Sequence, residues 1–196
     1  MNSSLIFAKN ILNTFTEKDI FIDVGAYPGD YMELMKKGEC YAFEASPRNY
    51  THMLKQAKFL SDSPIPIINL FNKGVYNDNL LYVVKEGNHN GLDSIEIQDS
   101  GENETVYLDQ YNFENVKLIK IDAEGSDFFV LLGVEKTIDK YHPYIIVEHM
   151  WEGKNTYKKL IEDFLTEKGY IFKEFAENFH CIWNRIIVEI IRLSNE

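Results

Sequence analysis

The chain has 196 residues, 45% of them hydrophobic, and carries a formal net charge of −11. Such a length and apolar content can bury a substantial core as one α/β domain, 1–196, without need of a second. The acidic balance, with no Lys/Arg-rich block to offset it, speaks against nonspecific binding to nucleic acid or to an anionic membrane surface.

Residues 1–15 lack a basic leader, and Lys9 and Asn10 interrupt their apolar residues before a signal-like core forms. The same segment predicts an amphipathic helix over 3–15, within an N-terminal unit (1–18) that packs ahead of a first strand at 19–24. A glycine turn follows, then a short helix at 30–37 and a strand at 39–43. Ser46-Pro47 supplies an N-cap and a helix-compatible first residue for a helix through Leu60. Segments 64–71, 80–84, 94–97 and 104–108 read as β, and the polar stretch 85–91, with Asn88-His89-Asn90, as a loop of the kind that holds substrate. The alternation then restarts: a buried strand at 116–121, a helix capped by Ser126 with Asp127 in its first turn, and a strand at 143–147. Asn155 is placed to cap a helix that runs through Lys168 and ends at Gly169. Residues 170–176 and 180–188 resemble a closing antiparallel pair around Glu177-Asn178.

No stretch reaches the about 18 continuous apolar residues that cross a bilayer, and even 186–193 contains Glu189 and Arg192. Membrane insertion is not expected. Cys40 and Cys181 show no metal-type spacing and read as buried, reduced thiols, which fits a cytoplasmic location.

The most informative segment is Ile20-Phe-Ile-Asp-Val-Gly-Ala-Tyr-Pro-Gly29, followed by Tyr41-Ala-Phe-Glu44. It reads as a strand, a glycine turn into a helix, a second strand and an acid at its tip. Glycines there allow close backbone approach to a ligand, and the acid about 20 residues on suits a ribose diol. A dinucleotide fingerprint would carry three glycines, but here only Gly25 and Gly29 are present. Asp23, two residues before Gly25, would repel a pyrophosphate but suits an ammonium or sulfonium group, which favours S-adenosylmethionine over NAD. Further acids follow apolar strands: Asp122 with Glu124, and Glu148 with His149. Carboxylates there are costly unless paired or solvated in a cleft, so their shared location marks a candidate site.

Four motifs carry a family resemblance: 21–29, Ala42-Phe-Glu-Ala-Ser-Pro47, Val106-Tyr-Leu-Asp109 and, most specific, Leu118-Ile-Lys-Ile-Asp-Ala-Glu-Gly125. The last continues through Val130-Leu-Leu-Gly133 to Pro143 and Val147-Glu148. In these the chain resembles the FkbM-type family of S-adenosylmethionine-dependent methyltransferases over about Phe21 to Trp151. Tyr27-Pro28 departs from the family pattern, as does the brevity of both ends, so the larger relatives' substrate-recognition additions are expected to be absent or supplied by a partner.

The resemblance implies an α/β, Rossmann-like class I methyltransferase fold: a mostly parallel seven-stranded sheet with a C-terminal antiparallel β-pair. It implies that Asp23 and the backbone of Gly25, Ala26, Tyr27 and Gly29 hold the methionine end of the cofactor. Glu44, with Ala45 beside it, would take the ribose hydroxyls, Gly74-Val75 the adenine, and Asp122 would face the methyl group. Family members mostly methylate hydroxyls of sugars, lipids or secondary metabolites, so a small-molecule or glycan acceptor is expected. A hydroxyl must be positioned in line with the methyl, and a base helps late in the transfer. Asp122, Glu124 and His149 are the candidates, the last because imidazole titrates near neutral pH. His149 reads equally as a structural histidine, and Glu124 as a helix cap or a partner of Lys120.

Asp122 with Glu148-His149 also stands where some class I O-methyltransferases hold Mg²⁺, a lesser possibility. His52 reads as helix surface, His142 as a pre-proline loop residue, His180 as a strand residue that can reach the cleft, and Trp151 as a stacking platform or packing. Two other classes stay open: an NAD(P)-dependent oxidoreductase, and a non-catalytic S-adenosylmethionine-binding subunit of a partner.

Overall fold

The computed structural model describes residues 3–60, 66–88, 92–150 and 157–184. In chain order the elements are α1 (Ser3–Leu12), β1 (Ile20–Val24), β2 (Glu39–Phe43), α2 (Pro47–Leu60), β3 (Ile67–Phe71), β4 (Leu81–Lys85), β5 (Ser94–Ile97) and β6 (Asn103–Glu104). There follow β7 (Val116–Ile121), α3 (Asp127–Gly133), α4 (Glu135–Tyr141), β8 (Tyr144–Glu148), α5 (Lys158–Glu167), β9 (Tyr170–Phe175) and β10 (Asn178–Trp183). Seven strands form one sheet in the order β3-β2-β1-β7-β8-β10-β9, with β10 antiparallel to both neighbours and the remaining pairs parallel. Strands β4, β5 and β6 make a separate antiparallel sheet, inserted between β3 and β7.

Alternation along the strands builds two apolar layers. Ile22, Val24, Ile119, Ile121, Ile145 and Val147 join Val130 and Leu131 of α3, Ile138 of α4 and Leu165 of α5 on one face. Phe21, Leu118, Ile146, Cys40 and Ala42 meet Ala8, Ile11 and Leu12 of α1 and Met53 of α2 on the other. Helices on both faces and the reversal of strand order at β1/β7 make a doubly wound sheet, whose ligand position lies beyond the carboxyl ends of the strands at that reversal. Both cysteines are buried free thiols, and no described helix is long and apolar enough to cross a membrane.

Several local expectations differ. Residues 30–37 form only a 3₁₀ turn at Met32–Leu34, with Met35 already extended. The segment lies between Gly29 and Gly38, both at positive φ, and a Cβ on Gly38 would run into the Asp19 carbonyl. That leaves too little chain for an α-helix to recover its nucleation cost. The expected strand 104–108 is cut short because the Thr105 hydroxyl accepts from the Leu80 N–H and donates to the Asp78 carbonyl, replacing ladder bonds; Leu108–Tyr111 is then a 3₁₀ turn. Ser46 caps α2 as expected, accepting from the Asn49 N–H at 3.3 Å. Ser126 makes no side-chain cap; the Asp127 carboxylate takes the Ala123 and Gly125 N–H groups instead. The final hairpin turns at Ala176, which has φ 53°. His180 docks α1 rather than reaching the cleft: its Nε2 lies 2.8 Å from Ser4 Oγ, and its ring stacks on Phe7 and Phe175. Asn155 and Trp151 lie outside the described residues.

One polar feature crosses the otherwise apolar second layer. Asp23 of β1 and Lys120 of β7 are register partners and point to the same face as Phe21 and Leu118. Lys120 Nζ donates to the Gly25 carbonyl at 2.5 Å and the Val24 carbonyl at 3.2 Å, and lies 3.5 Å from both Asp23 and Asp122. Burial pulls the Lys120 pKa down, but Asp122 and Asp23 outweigh it and hold the ammonium above the ordinary lysine value. For Asp23 burial wins, pushing the carboxyl up to about 6 against the pull of Lys120.

Removing one partner of a buried ion pair strands the other. Lys120→Met is therefore expected to lower unfolding free energy by about 3–5 kcal/mol in urea titrations, and a loss below about 1 kcal/mol would show the pair to be dispensable. A second cap gives a smaller effect. Asp109 accepts from the Lys136 and Thr137 N–H groups at the start of α4 and from the Thr137 hydroxyl, so Asp109→Ala is expected to cost about 1–2 kcal/mol in the same assay.

Candidate active site

A cleft opens at the carboxyl ends of β1, β2 and β7. Gly25 and Tyr27 of the first turn, Glu44 and Ala45 after β2, Gly74 and Val75 after β3, and Asp122 and Glu124 after β7 all line it. These predicted residues therefore meet, although they come from four segments of the chain. The inserted sheet adds Asp93 and Ile95, and α2 adds Asn49.

Gly25 has φ +66°, and a Cβ there would overlap the Asp122 carbonyl. Its glycine is thus required by the close approach of the β1 and β7 ends, a different cause from the ligand approach read from sequence. The inserted sheet fixes the opposite wall: Tyr82 of β4 is fully buried and its hydroxyl accepts the Gly74 N–H at 3.0 Å.

Glu44 is 5% exposed, and its carboxylate accepts from the Ser46 N–H at 2.9 Å and the Tyr27 N–H at 3.4 Å. Burial raises its pKa while those N–H groups and Lys120 pull it back. The carboxylate is therefore fixed in direction, with remaining lone pairs for a diol. Ser46 continues the chain of contacts, donating its hydroxyl to Asp93 at 2.6 Å. Asp93 also accepts from Arg48 Nη2 at 2.5 Å and from the Gly87 N–H at 2.9 Å. Burial raises the Asp93 pKa, but these donors more than offset it and hold the carboxyl below its usual range. This aspartate fastens the inserted sheet to the start of α2.

Strand parity sorts the remaining acids. Glu148 lies on the face of Ile146 and Lys120, beside Asp122; burial first, then the charges of Asp122, Asp127 and Glu124, push its carboxyl up to about 10. Asp127, tied to two backbone N–H groups, is pushed up to about 7 chiefly by burial. Asp122 is the open member, with its side chain 36% exposed beside Lys120. His149, one residue beyond Glu148, must point to the other face. There its ring packs on Phe179 at 4.4 Å and Nε2 lies 3.2 Å from Glu174, in ion-pair range without hydrogen-bond alignment.

His149 is not among the cleft-lining residues, and this geometry separates it from Asp122 as base or as metal ligand. Among the described residues no group of three or more His, Cys, Asp or Glu side chains is arranged to hold a metal ion. Asp23 and Ala26 are buried beneath the turn rather than in the cleft wall. Gly29 also stands outside the lining; its φ of 106° shapes the exit of the turn. His52 is exposed on α2 beside Tyr27, and His142, at φ 47°, stacks on Trp183. Sequence reading missed Asn49, Asp93 and Ile95 in the cleft. It saw Lys120 only as a partner for Glu124, although a lysine inside an apolar strand two residues before an acid is itself a signal of a buried pair.

Residues 23–172 match the family model of the methyltransferase FkbM domain. No curated protein matches the chain significantly. Among solved structures, the methyltransferase FkbM from Methylobacillus flagellatus KT superposes with a TM-score of 0.65 at 14% identity, over 86% of this chain and 44% of that one. The chain thus spans less than half the length of that relative. A putative rRNA-methylase from Clostridium thermocellum has a TM-score of 0.54 at 15% identity, over 92% and 94% of the two chains. A precorrin-6y C5,15-methyltransferase from Geobacter metallireducens GS-15 has a TM-score of 0.53 at 12% identity, over 92% and 87%. At such identities these likenesses establish the Rossmann-like fold, and the family follows from the sequence match, which displaces the oxidoreductase alternative. With strand order, glycine turn and acid-lined cleft in agreement, the chain belongs to the FkbM family of S-adenosylmethionine-dependent methyltransferases.

Proposed function

We propose that the protein is an O-methyltransferase acting on a hydroxyl of a sugar, a glycan or another small hydroxylated acceptor. The observation that carries this reading is the setting of Asp122, a part-open carboxyl group on the cleft wall, with Lys120 at 3.5 Å and Glu148 beside it.

The donor set of the cleft fits S-adenosylmethionine. Glu44 is held by backbone N–H groups and presents a carboxylate to a diol, while Asp122 and Glu124 give the β7 end of the cleft the negative character that suits a cationic ligand. Bound there, the cofactor supplies an electrophilic methyl group. The chain's own contribution is to hold the acceptor and take its proton. Asp122 would accept a hydrogen bond from the acceptor hydroxyl, aim its oxygen, and receive the proton as the C–O bond forms and the methyl–sulfur bond breaks, leaving the thioether product. Burial and the neighbouring acids push the Glu148 carboxyl up, which lessens its competition as a second anion, and Lys120 limits rotation of the Asp122 carboxylate. The formal charge of −11 favours a neutral or cationic small acceptor over a polyanionic one such as RNA, despite the fold shared with a putative rRNA-methylase.

Glu44→Gln is expected to weaken S-adenosylhomocysteine binding by roughly tenfold or more, the scale of one charge-assisted hydrogen bond. Calorimetric titration measures this, and unchanged affinity would remove the ribose assignment. Asp122→Asn keeps the shape of the side chain and is expected to lower turnover by about 10²-fold or more at saturating cofactor. A screen of sugars and other hydroxylated acceptors provides the substrate, and full activity of the variant on that substrate would exclude Asp122 as the base.

A further inference from the structure

The polar side chains of the cleft are mostly committed. Asp93 is occupied by Ser46, Arg48 and Gly87, Glu44 by Ser46 and Tyr27, and Asp122 by Lys120. Among the buried polar side chains of the lining, Asn49 is the exception. It is 2% exposed and lines the cleft, its backbone N–H is used in capping α2, and its side-chain Oδ1 is buried with no hydrogen-bond partner. A buried polar atom without a partner costs about 1–3 kcal/mol, so such a group persists where a ligand satisfies it.

The surroundings define what that ligand offers. Asn49 stands one helical turn past Ser46, on the Glu44 side of the cleft, where Phe43, Val75 and Ile95 supply apolar walls. A flat, neutral heteroaromatic ring fits there better than a charged group. An amide carries an acceptor next to a donor and pairs with a ring edge that offers the same two functions side by side, as adenine does with its 6-amino group and an adjacent ring nitrogen. A carboxylate in this position would accept only and would repel the ring nitrogen.

We propose that the Asn49 side-chain amide reads the base of the cofactor, accepting from the adenine 6-amino group at Oδ1 and donating to the neighbouring ring nitrogen. This rests on the cofactor assignment above and extends it to a residue that selects adenine. Arg48 and Asp93 support it indirectly by fixing the start of α2, and hence the position of Asn49, against the inserted sheet.

The test is a two-by-two calorimetric cycle at one pH and salt concentration. Wild type and Asn49→Ala are each titrated with S-adenosylhomocysteine and with its purine analogue, which lacks the 6-amino group. Wild type is expected to prefer the adenine ligand by about tenfold, and Asn49→Ala to bind both ligands within about twofold of each other, collapsing the ratio. The wild-type ratio alone keeps the proposal exposed if the variant fails to fold, since equal binding of the two ligands by wild type overturns it. A ratio unchanged in Asn49→Ala overturns the Asn49 assignment alone. Failure of wild type to bind S-adenosylhomocysteine at all overturns the cofactor reading, and the Asn49 assignment falls with it.

Discussion

The buried ammonium of Lys120 is the contact on which the arrangement of this site depends. It sits in a layer otherwise made of Phe21, Leu118, Ile146 and the apolar face of α1, and its bonds run to the two carbonyls that end β1 and to carboxylates on β1 and β7. A lysine is tolerated in that layer because two carbonyls accept from its ammonium and two carboxylates flank it at 3.5 Å, offsetting the cost of burying the charge. The consequence is geometric. The Gly25 turn cannot drift from the β7 end without exposing an unpaired charge, and Gly25 itself has no Cβ to hold the two strands apart. One cation therefore sets the spacing between the turn that lines the cleft and the carboxylate of Asp122 opposite it.

The inserted sheet performs the matching task on the other wall. Its Tyr82 hydroxyl accepts from the Gly74 N–H, the Val106 N–H just beyond β6 donates to the Gly74 carbonyl, and Asp93 gathers Ser46, Arg48 and Gly87. These bonds run to the segments after β2 and β3, the same segments that present Glu44, Ala45, Gly74 and Val75 to the cleft. Loops at strand ends are ordinarily the mobile part of a doubly wound fold. Here they are clasped by a second sheet, so the geometry of Glu44 relative to Asn49 is fixed by hydrogen bonds from outside the Rossmann-like core.

The parts of this arrangement that were legible in the sequence are those set by local pattern. The strands 39–43, 94–97 and 116–121 read correctly to the residue, because apolar alternation and β-branching are properties of the segment itself. The doubly wound architecture followed from the strand-helix alternation and the final β-pair, while the order of the strands came only with the structure. The failures came where distant residues decide the outcome. Asp93 depends on Ser46 and Arg48, 47 and 45 positions away, and nothing near Asp93 in sequence announces that partner. Asn49 looked like any residue of a first helical turn. His149 is a different kind of case: strand parity places it opposite to Glu148, and its ring packs on Phe179 outside the cleft lining. Of the two readings the sequence leaves open for it, the structural one matches this packing.

That same parity explains how one residue type fills four roles around one cleft. Asp23, Asp122, Asp127 and Glu148 are all carboxyls near the ends of β1, β7 and β8, and depth distinguishes them. Asp23, fully buried, is bound to the service of Lys120 and raised to about 6. Asp127 spends its oxygens on the backbone of its own turn. Glu148, facing three other acids in a desolvated position, has its carboxyl pushed well above the ordinary range. Four adjacent anions would repel one another strongly at low local dielectric, so burial sorts them by what each can bond. Asp122 alone among them lines the cleft, with its side chain part-open to solvent and Lys120 3.5 Å away. The three buried acids are committed inside the fold, and Asp122 is the carboxyl left to meet a ligand.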